Sequence, residues 1–198
     1  MDFVVKYLEE TKRIAERLDV AAVARVVGAL RAVRDRGGRL FIMGVGGGAG
    51  HASHAVCDLR KIGGFEAYCP SDNASELTAR INDEGWDTSY AEWLRGSRLG
   101  RADGLLVFSV GGGDAERGIS TNLVRAMDAA KEAGATVCAV VGRDGGHAGR
   151  IADACVIVPT VNTETITAHT EEFQAVVWHL LISHPLLKAS AMKWESQR

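Results

Sequence analysis

The sequence predicts an α/β fold: a three-layer αβα sandwich on a parallel, Rossmann-like sheet, preceded by N-terminal helices. Three observations carry this. The apolar runs at 39–44, 104–110, 135–141 and 154–159 lack polar alternation, so each strand is covered on both faces. Segments with apolar residues at three- and four-residue spacing separate them. Glycines follow the first three runs directly, which puts a ligand at the carboxyl edge of the sheet.

Residues 2–36 read as helix, broken near Leu18 and Asp19. Val4, Tyr7, Leu8, Ile14 and Leu18, then Val23, Val26, Val27, Leu30 and Val33, recur at helical spacing. Gly37 and Gly38 stop it. The strand at 39–44 leads through glycines into a helix over 49–62. A short strand at 66–69 and a helix at 74–82 follow. The strand at 104–110 ends in Gly111, Gly112, Gly113 and Asp114, ahead of a helix over 119–133 that Gly134 stops. The strand at 135–141 ends in a glycine-bearing turn at 142–146. After the strand at 154–159, a last helix runs over 164–183 and stops before Pro185. At 198 residues the chain is expected to be a single domain, 1–198, with a helical segment at 1–36 and an αβα core at 37–190. No linker or strict repeat is present, but Gly-Val-Gly-Gly-Gly at 44–48 is echoed by Ser-Val-Gly-Gly-Gly at 109–113. Two such turns suggest one ligand held from two sides.

The composition is that of an ordinary globular protein, with 46 % hydrophobic and 24 % charged residues. A formal net charge of −2 without a basic block argues against nucleic acid as the main ligand. No stretch approaches the roughly 20 apolar residues of a membrane span. Cys57, Cys69, Cys138 and Cys155 form no C-x-x-C pair and read as reduced thiols. They and the charged, periodic N-terminus lead to the expectation of a cytoplasmic protein.

Gly44-x-Gly46-x-x-Ala49 formally fits a dinucleotide fingerprint, and Glu66 lies about 20 residues beyond the turn. The glycines could equally serve only a tight turn. An anion or sugar-phosphate site is the third reading, because free amides at a helix start bind anions. On the following helix His54 and Asp58 are four apart and share a face, with His51 nearby. Glu171 and His179 are eight apart on the last helix, about two turns. Two histidines and two carboxylates suit a divalent, zinc-type site, a general acid/base pair, or plain capping and salt bridging. Asn82, Asp83 and Glu84, with Asp87 and Thr88, read as a polar loop able to meet sugar hydroxyls. His147 and His184 read as loop or helix-end residues, and Trp86, Trp93 and Trp178 as core or interface.

In combination these residues resemble the sugar-isomerase (SIS) domain proteins, specifically the bacterial phosphoheptose isomerase group. The motifs are the strand with its glycine turn, the His-x-x-x-acid helix, Leu77-Thr-Ala-Arg-Ile-Asn-Asp-Glu-Gly85, the Ser109 turn and the His-bearing last helix. The segment from Ala126 to Gly146 is especially close. The resemblance implies an αβα sandwich assembled as a homotetramer, with sites between subunits, one zinc ion per site and no nucleotide. It implies an aldose–ketose isomerase working through an enediol, with sedoheptulose 7-phosphate as first candidate. Asp58 and His179 fall on the catalytic pair; His54, Asp58, Glu171 and His179 fall on the metal site. Gly46, Gly47, Gly48, Asn82, Asp83, Ser109, Gly111, Gly112, Asp114 and Glu171 fall on substrate-binding positions. The chain departs from the group in several places. Asp58 stands for glutamate, a retreat of roughly 1.5 Å, and Glu171 stands for glutamine. A Ser-Thr-Ser-Gly-Asn-Ser phosphate turn is replaced by Ser109-Val-Gly-Gly-Gly-Asp114, and Gly48 and Val45 replace a serine and an asparagine. These departures keep open an isomerase for another sugar, or a non-catalytic SIS module that binds a sugar phosphate or a protein partner.

Overall fold

A computed structural model describes residues 2–193 and 195; Trp194, which the sequence leaves in a charged tail, lies outside them. Two helices open the chain, α1 (Phe3–Arg17) and α2 (Val20–Asp35). They break where the sequence predicts: Leu18 is extended, and the Asp19 carboxylate caps α2 by accepting from the Ala22 amide at 3.0 Å. Gly37, at φ 73°, ends α2 and donates its amide to the Arg34 carbonyl at 2.9 Å.

Five strands follow: β1 (Leu40–Gly44), β2 (Ala67–Tyr68), β3 (Gly104–Ser109), β4 (Thr136–Val141) and β5 (Ala154–Ile157). All pair in parallel, in the order β2-β1-β3-β4-β5. Helix α3 (Gly47–Lys61) follows β1, and α4 (Ala74–Glu84) and α5 (Ser89–Gly96) separate β2 from β3. Helix α6 (Thr121–Glu132) joins β3 to β4, and α7 (Gly146–Ile151) joins β4 to β5; α8 (Ile166–Ser183) closes the fold. The chain steps outward from β1 to β2, then back across to β3. The crevice outside the carboxyl ends of β1 and β3 is therefore the topological switch point, where ligands of such sheets bind.

The two faces of the sheet explain the unbroken apolar runs. Leu40, Ile42, Leu106, Phe108, Cys138 and Val140 pack with residues of α2, α3 and α8. Phe41, Met43, Leu105, Val107, Val137 and Val141 pack on the other side with α5 and α6. Burial pushes the Cys138 thiol up to about 12 and the Cys155 thiol to about 11, so both stay protonated and inert.

The amino edge of the sheet is held by guanidinium groups. Arg39 donates to both Asp103 oxygens and to the Ser97 and Arg98 carbonyls, and Arg36 to the Ala102 and Asp103 carbonyls and the Thr136 hydroxyl. A second polar cluster ties α1 to the segment before α8 and to α8 itself. Buried Glu10 accepts from Asn162 at 2.8 Å and Thr165 at 3.0 Å and pairs with buried His169 at 3.0 Å, while Tyr7 stacks on His169 at 4.3 Å. The bond to His169 chiefly holds the Glu10 carboxyl below its ordinary value, against burial. Burial would raise Asp103, but its bonds from Arg39 and Gly100 keep it below the ordinary value too.

Carboxyls depressed in the fold contribute stability above their unfolded pKa, and that contribution is lost as pH falls through the folded value. Urea-unfolding midpoints are therefore expected to hold above about pH 4.5 and to fall below it. Glu10→Gln should flatten part of that fall; an unchanged profile would show that this cluster contributes none of it.

Three sequence readings need correction. Asn82 and Asp83 lie in the last turn of α4, which runs on to Glu84, and not in a loop; Gly85, at φ 85°, is the true stop. Helix α5 was not expected, because its eight residues show only Tyr90, Trp93 and Leu94 at core spacing. Helix α7 is shorter still, at six residues.

Candidate active site

The turn after β1 is made by close backbone contacts that only glycine permits. A Cβ on Gly44 would lie 2.2 Å from the Gly48 carbonyl carbon, and one on Gly48 2.8 Å from the Phe108 carbonyl oxygen. Helix α3 is thereby pressed onto the sheet, and its exposed side meets α8. There His54 and Asp58, one turn apart, face His179.

One ligand atom from each of these three residues lies within 4.8 Å of the others, and among the described residues they form the only such group of possible metal ligands. His54 Nε2 is 3.7 Å from Asp58 Oδ2. The two imidazoles stand edge to face at 5.8 Å. Buried Trp178 wedges behind both, with ring centroids 4.7 Å from His54 and 3.4 Å from His179. His179 Nδ1 lies 2.8 Å from the Ala175 carbonyl. A carbonyl can only accept, so this contact assigns the proton to Nδ1 and leaves the Nε2 lone pair free for a proton or a metal. Two imidazoles and a carboxylate are the three-ligand set of a catalytic zinc site that keeps a position open, so the donors fit such an ion.

Glu171, expected as a fourth ligand, does not join them. Eight residues of helix separate it from His179 by about 12 Å along the axis, so sharing a side is not sharing a level. Its carboxylate lies over the first turn of α3 instead: a Cβ on Gly47 would be 2.4 Å from Glu171 Oε2. His51 sits between the two ends of this seam. Burial chiefly lowers its pKa; Glu171 opposes that, and His54 and His179 add to it. His51 is thus a neutral imidazole at neutral pH. Behind the seam, Gln174 buries both ends of its amide, and Trp178 its indole N–H, without a hydrogen-bond partner.

The turn after β3 forms a second wall. Buried Ser109 uses its hydroxyl to accept from the Gly112 amide at 3.1 Å. The amides of His147 and Ala148, at the start of α7, donate to the Gly113 and Gly112 carbonyls at 2.9 Å each. Gly112 must be glycine, since a Cβ there would lie 1.9 Å from the Gly145 carbonyl oxygen. Asp114 turns back onto its own loop, accepting from the Glu116 and Arg117 amides at 3.0 and 3.1 Å. Its backbone exchanges two bonds with Ile119, closing the loop. Gly46, at φ 59°, caps α3, and Gly111 lines the cleft beside Arg143. Asn82 and Asp83 bond each other at 2.7 Å on the surface of α4 and are not brought to the metal-type group.

Two polar residues here escaped the sequence reading. Ser120 caps α6 in a left-handed conformation, its side chain making no capping bond. Its signal was legible, as Ser-Thr-Asn directly before a periodic apolar run. His169 carried none, being one histidine among helical neighbours. His147 pairs with Asp128 at 2.7 Å, and the Leu186 amide donates to His184, as helix-end roles require.

No protein-family model matches the chain. It is 36 % identical over 155 residues to the lincomycin biosynthesis protein LmbN of Streptomyces lincolnensis, covering 73 % of this chain but only 54 % of that protein, so the chain spans about half the length of this relative. It is 33 % identical over 171 residues to the phosphoheptose isomerase of Akkermansia muciniphila, covering 82 % of each. The solved phosphoheptose isomerase GmhA from Neisseria gonorrhoeae superposes with a TM-score of 0.78 at 26 % identity, over 91 % of this chain and 95 % of that one. Fold and relatives agree: the chain belongs to the phosphoheptose isomerase family of SIS-fold phosphosugar isomerases.

Proposed function

We propose that the protein interconverts a ketose phosphate and an aldose phosphate through an enediol, with sedoheptulose 7-phosphate as the first substrate to test. The observation that carries this is the meeting of His54, Asp58 and His179, with a free lone pair on His179 Nε2. From the ketose, Asp58 takes a proton from C1 and returns it to C2. His179 Nε2 takes the O1 proton and delivers one to O2. The atoms balance, with one hydrogen passing from C1 to C2 and one from O1 to O2. His54 orients Asp58 across 3.7 Å. The same three residues would hold zinc, which when bound polarises the substrate oxygens; Asp58 then serves as ligand as well as, or instead of, base. Glu171 faces the substrate from the start of α3. Gly46, Gly47, Gly48, Ser109, Gly111 and Gly112 frame the sugar, the glycines through their backbone; Asn82 and Asp83, paired on the surface of α4, lie away from it.

The assembly proposed is a homotetramer of single-domain chains, 1–198, with residues 1–36 at the interfaces. Exposed Phe3, Val4 and Leu8 on α1, and Val176 and Leu180 on α8, supply apolar surface for it. Among the described residues no helix is long and apolar enough to cross a membrane.

The test is incubation with sedoheptulose 7-phosphate, with zinc or chelator, following the aldose by NMR. Zinc-dependent conversion is expected. Conversion indifferent to chelator would remove the metal from the proposal. No conversion of this or any other phosphosugar would leave a binding module.

A further inference from the structure

The chain has six histidines, and all but one have partners. His54 lies 3.7 Å from Asp58, His147 bonds Asp128, His169 bonds Glu10, His179 lies on the Ala175 carbonyl and His184 accepts from the Leu186 amide. His51 is the exception. It is half-buried, and among the described residues neither of its ring nitrogens has a hydrogen bond or an ion pair. The proton transfers at C1 and C2 leave it without a task.

Helix α3 places it in the reaction seam. Gly47, His51, His54 and Asp58 follow one another at four, three and four residues, which confines them to a sector of about 60° on one face of the helix. Helix α8 fixes both ends of that row. Glu171 lies over Gly47, and His179 meets His54 and Asp58. His51 stands between them, about 6 Å along the axis from Gly47 and about 10 Å from Asp58. Burial chiefly keeps its ring neutral, and of the charges that act on it only Glu171 favours the imidazolium. Glu171 has no hydrogen bond or ion pair of its own among the described residues, so its carboxylate is at hand for a cation formed at His51.

A sugar laid with its C1–C2 end at Asp58 and His179, and its tail toward the glycine turns, passes His51 on the way. Sugars of this length close on themselves: a hydroxyl further along the chain adds to the carbonyl carbon and gives a cyclic hemiketal. An enediol forms only from the open chain. Opening moves one proton from the anomeric hydroxyl to the ring oxygen, and it precedes the work of Asp58 and His179.

We propose that His51 opens the sugar ring before the enediol step, with Glu171 as its counter-charge. One nitrogen of the imidazole takes the proton of the anomeric hydroxyl. The bond between C2 and the ring oxygen breaks as the C2 carbonyl forms. The imidazolium, stabilised by the Glu171 carboxylate, returns the same proton to the ring oxygen. One hydrogen has moved between two oxygens, and His51 is neutral again. The role rests on the phosphosugar reading for its substrate, but ring opening is measurable without isomerisation.

The ring forms of sedoheptulose 7-phosphate interchange only through the open chain, and NMR exchange spectroscopy follows them at equilibrium. Asp58→Asn removes the base of the enediol step and is expected to keep ring exchange faster than in buffer. Adding His51→Gln should lower the catalysed exchange about 10²-fold or more, the usual contribution of a positioned acid–base group. In the otherwise unaltered protein His51→Ala should lower kcat/KM for isomerisation. Added imidazole should restore part of it, which a merely structural role would not allow. Zinc content should stay near that of the wild type, since His51 is outside the metal-type group. Ring exchange equally fast with and without His51 would overturn the role, as would ring forms that interchange no faster with the protein than without it. Ring exchange that depends on His51 in a protein isomerising no phosphosugar would keep the role and remove the isomerase reading.

Discussion

His179→Ala is expected to lower turnover by about 10²–10⁴-fold, the usual loss when a positioned proton carrier is removed. The expectation follows from one contact. Because Nδ1 is committed to the Ala175 carbonyl, Nε2 is the sole nitrogen of this ring free to act, and alanine leaves no substitute at that point. His54 cannot stand in, since its ring is perpendicular to that of His179 and already lies beside Asp58. The side chain is exposed, so thermal unfolding should be nearly unmoved, while zinc content of the purified protein should fall. A variant retaining a third or more of wild-type kcat would remove His179 from the chemistry.

Trp178→Ala should produce the largest loss of stability, about 3–5 kcal/mol, by opening a cavity between α3 and α8. The ring is 1 % exposed and touches both site histidines. For a chain of this size the loss corresponds to a drop in melting temperature of roughly 6–20 °C. Trp178→Phe should cost far less, because the indole N–H has no protein partner to strand. Calorimetric melting of the two variants checks this. Equal losses in both would mean that the indole nitrogen matters more than the volume behind His54.

Much of this was legible in the sequence, for identifiable reasons. Strands β1, β3 and β4 are buried on both faces, so their unbroken apolar runs stand out from amphipathic helices. The pairing of His54 with Asp58 was legible because it needs only helical periodicity. Its meeting with His179 came from family resemblance, as no local pattern brings α3 against α8. Glu171 shows the limit of periodicity, which gives direction around a helix but not height along it. Helix α5 shows another: at eight residues its apolar spacing falls below what distinguishes a helix from chance. The orientation of Asp114 was beyond sequence, because it depends on where the loop's own amides point.

The two rims of the sheet are built differently. On the amino side Arg36 and Arg39 bind carbonyls that belong to the frame itself. On the other side the stretch from Glu116 to Gly118 hangs outside a pair of backbone bonds between Asp114 and Ile119. A length change there is absorbed before it reaches β3 or α6. That loop is thus a natural cassette: its residues can be exchanged, and substrate preference retuned with them, while the scaffold inherits no disturbance.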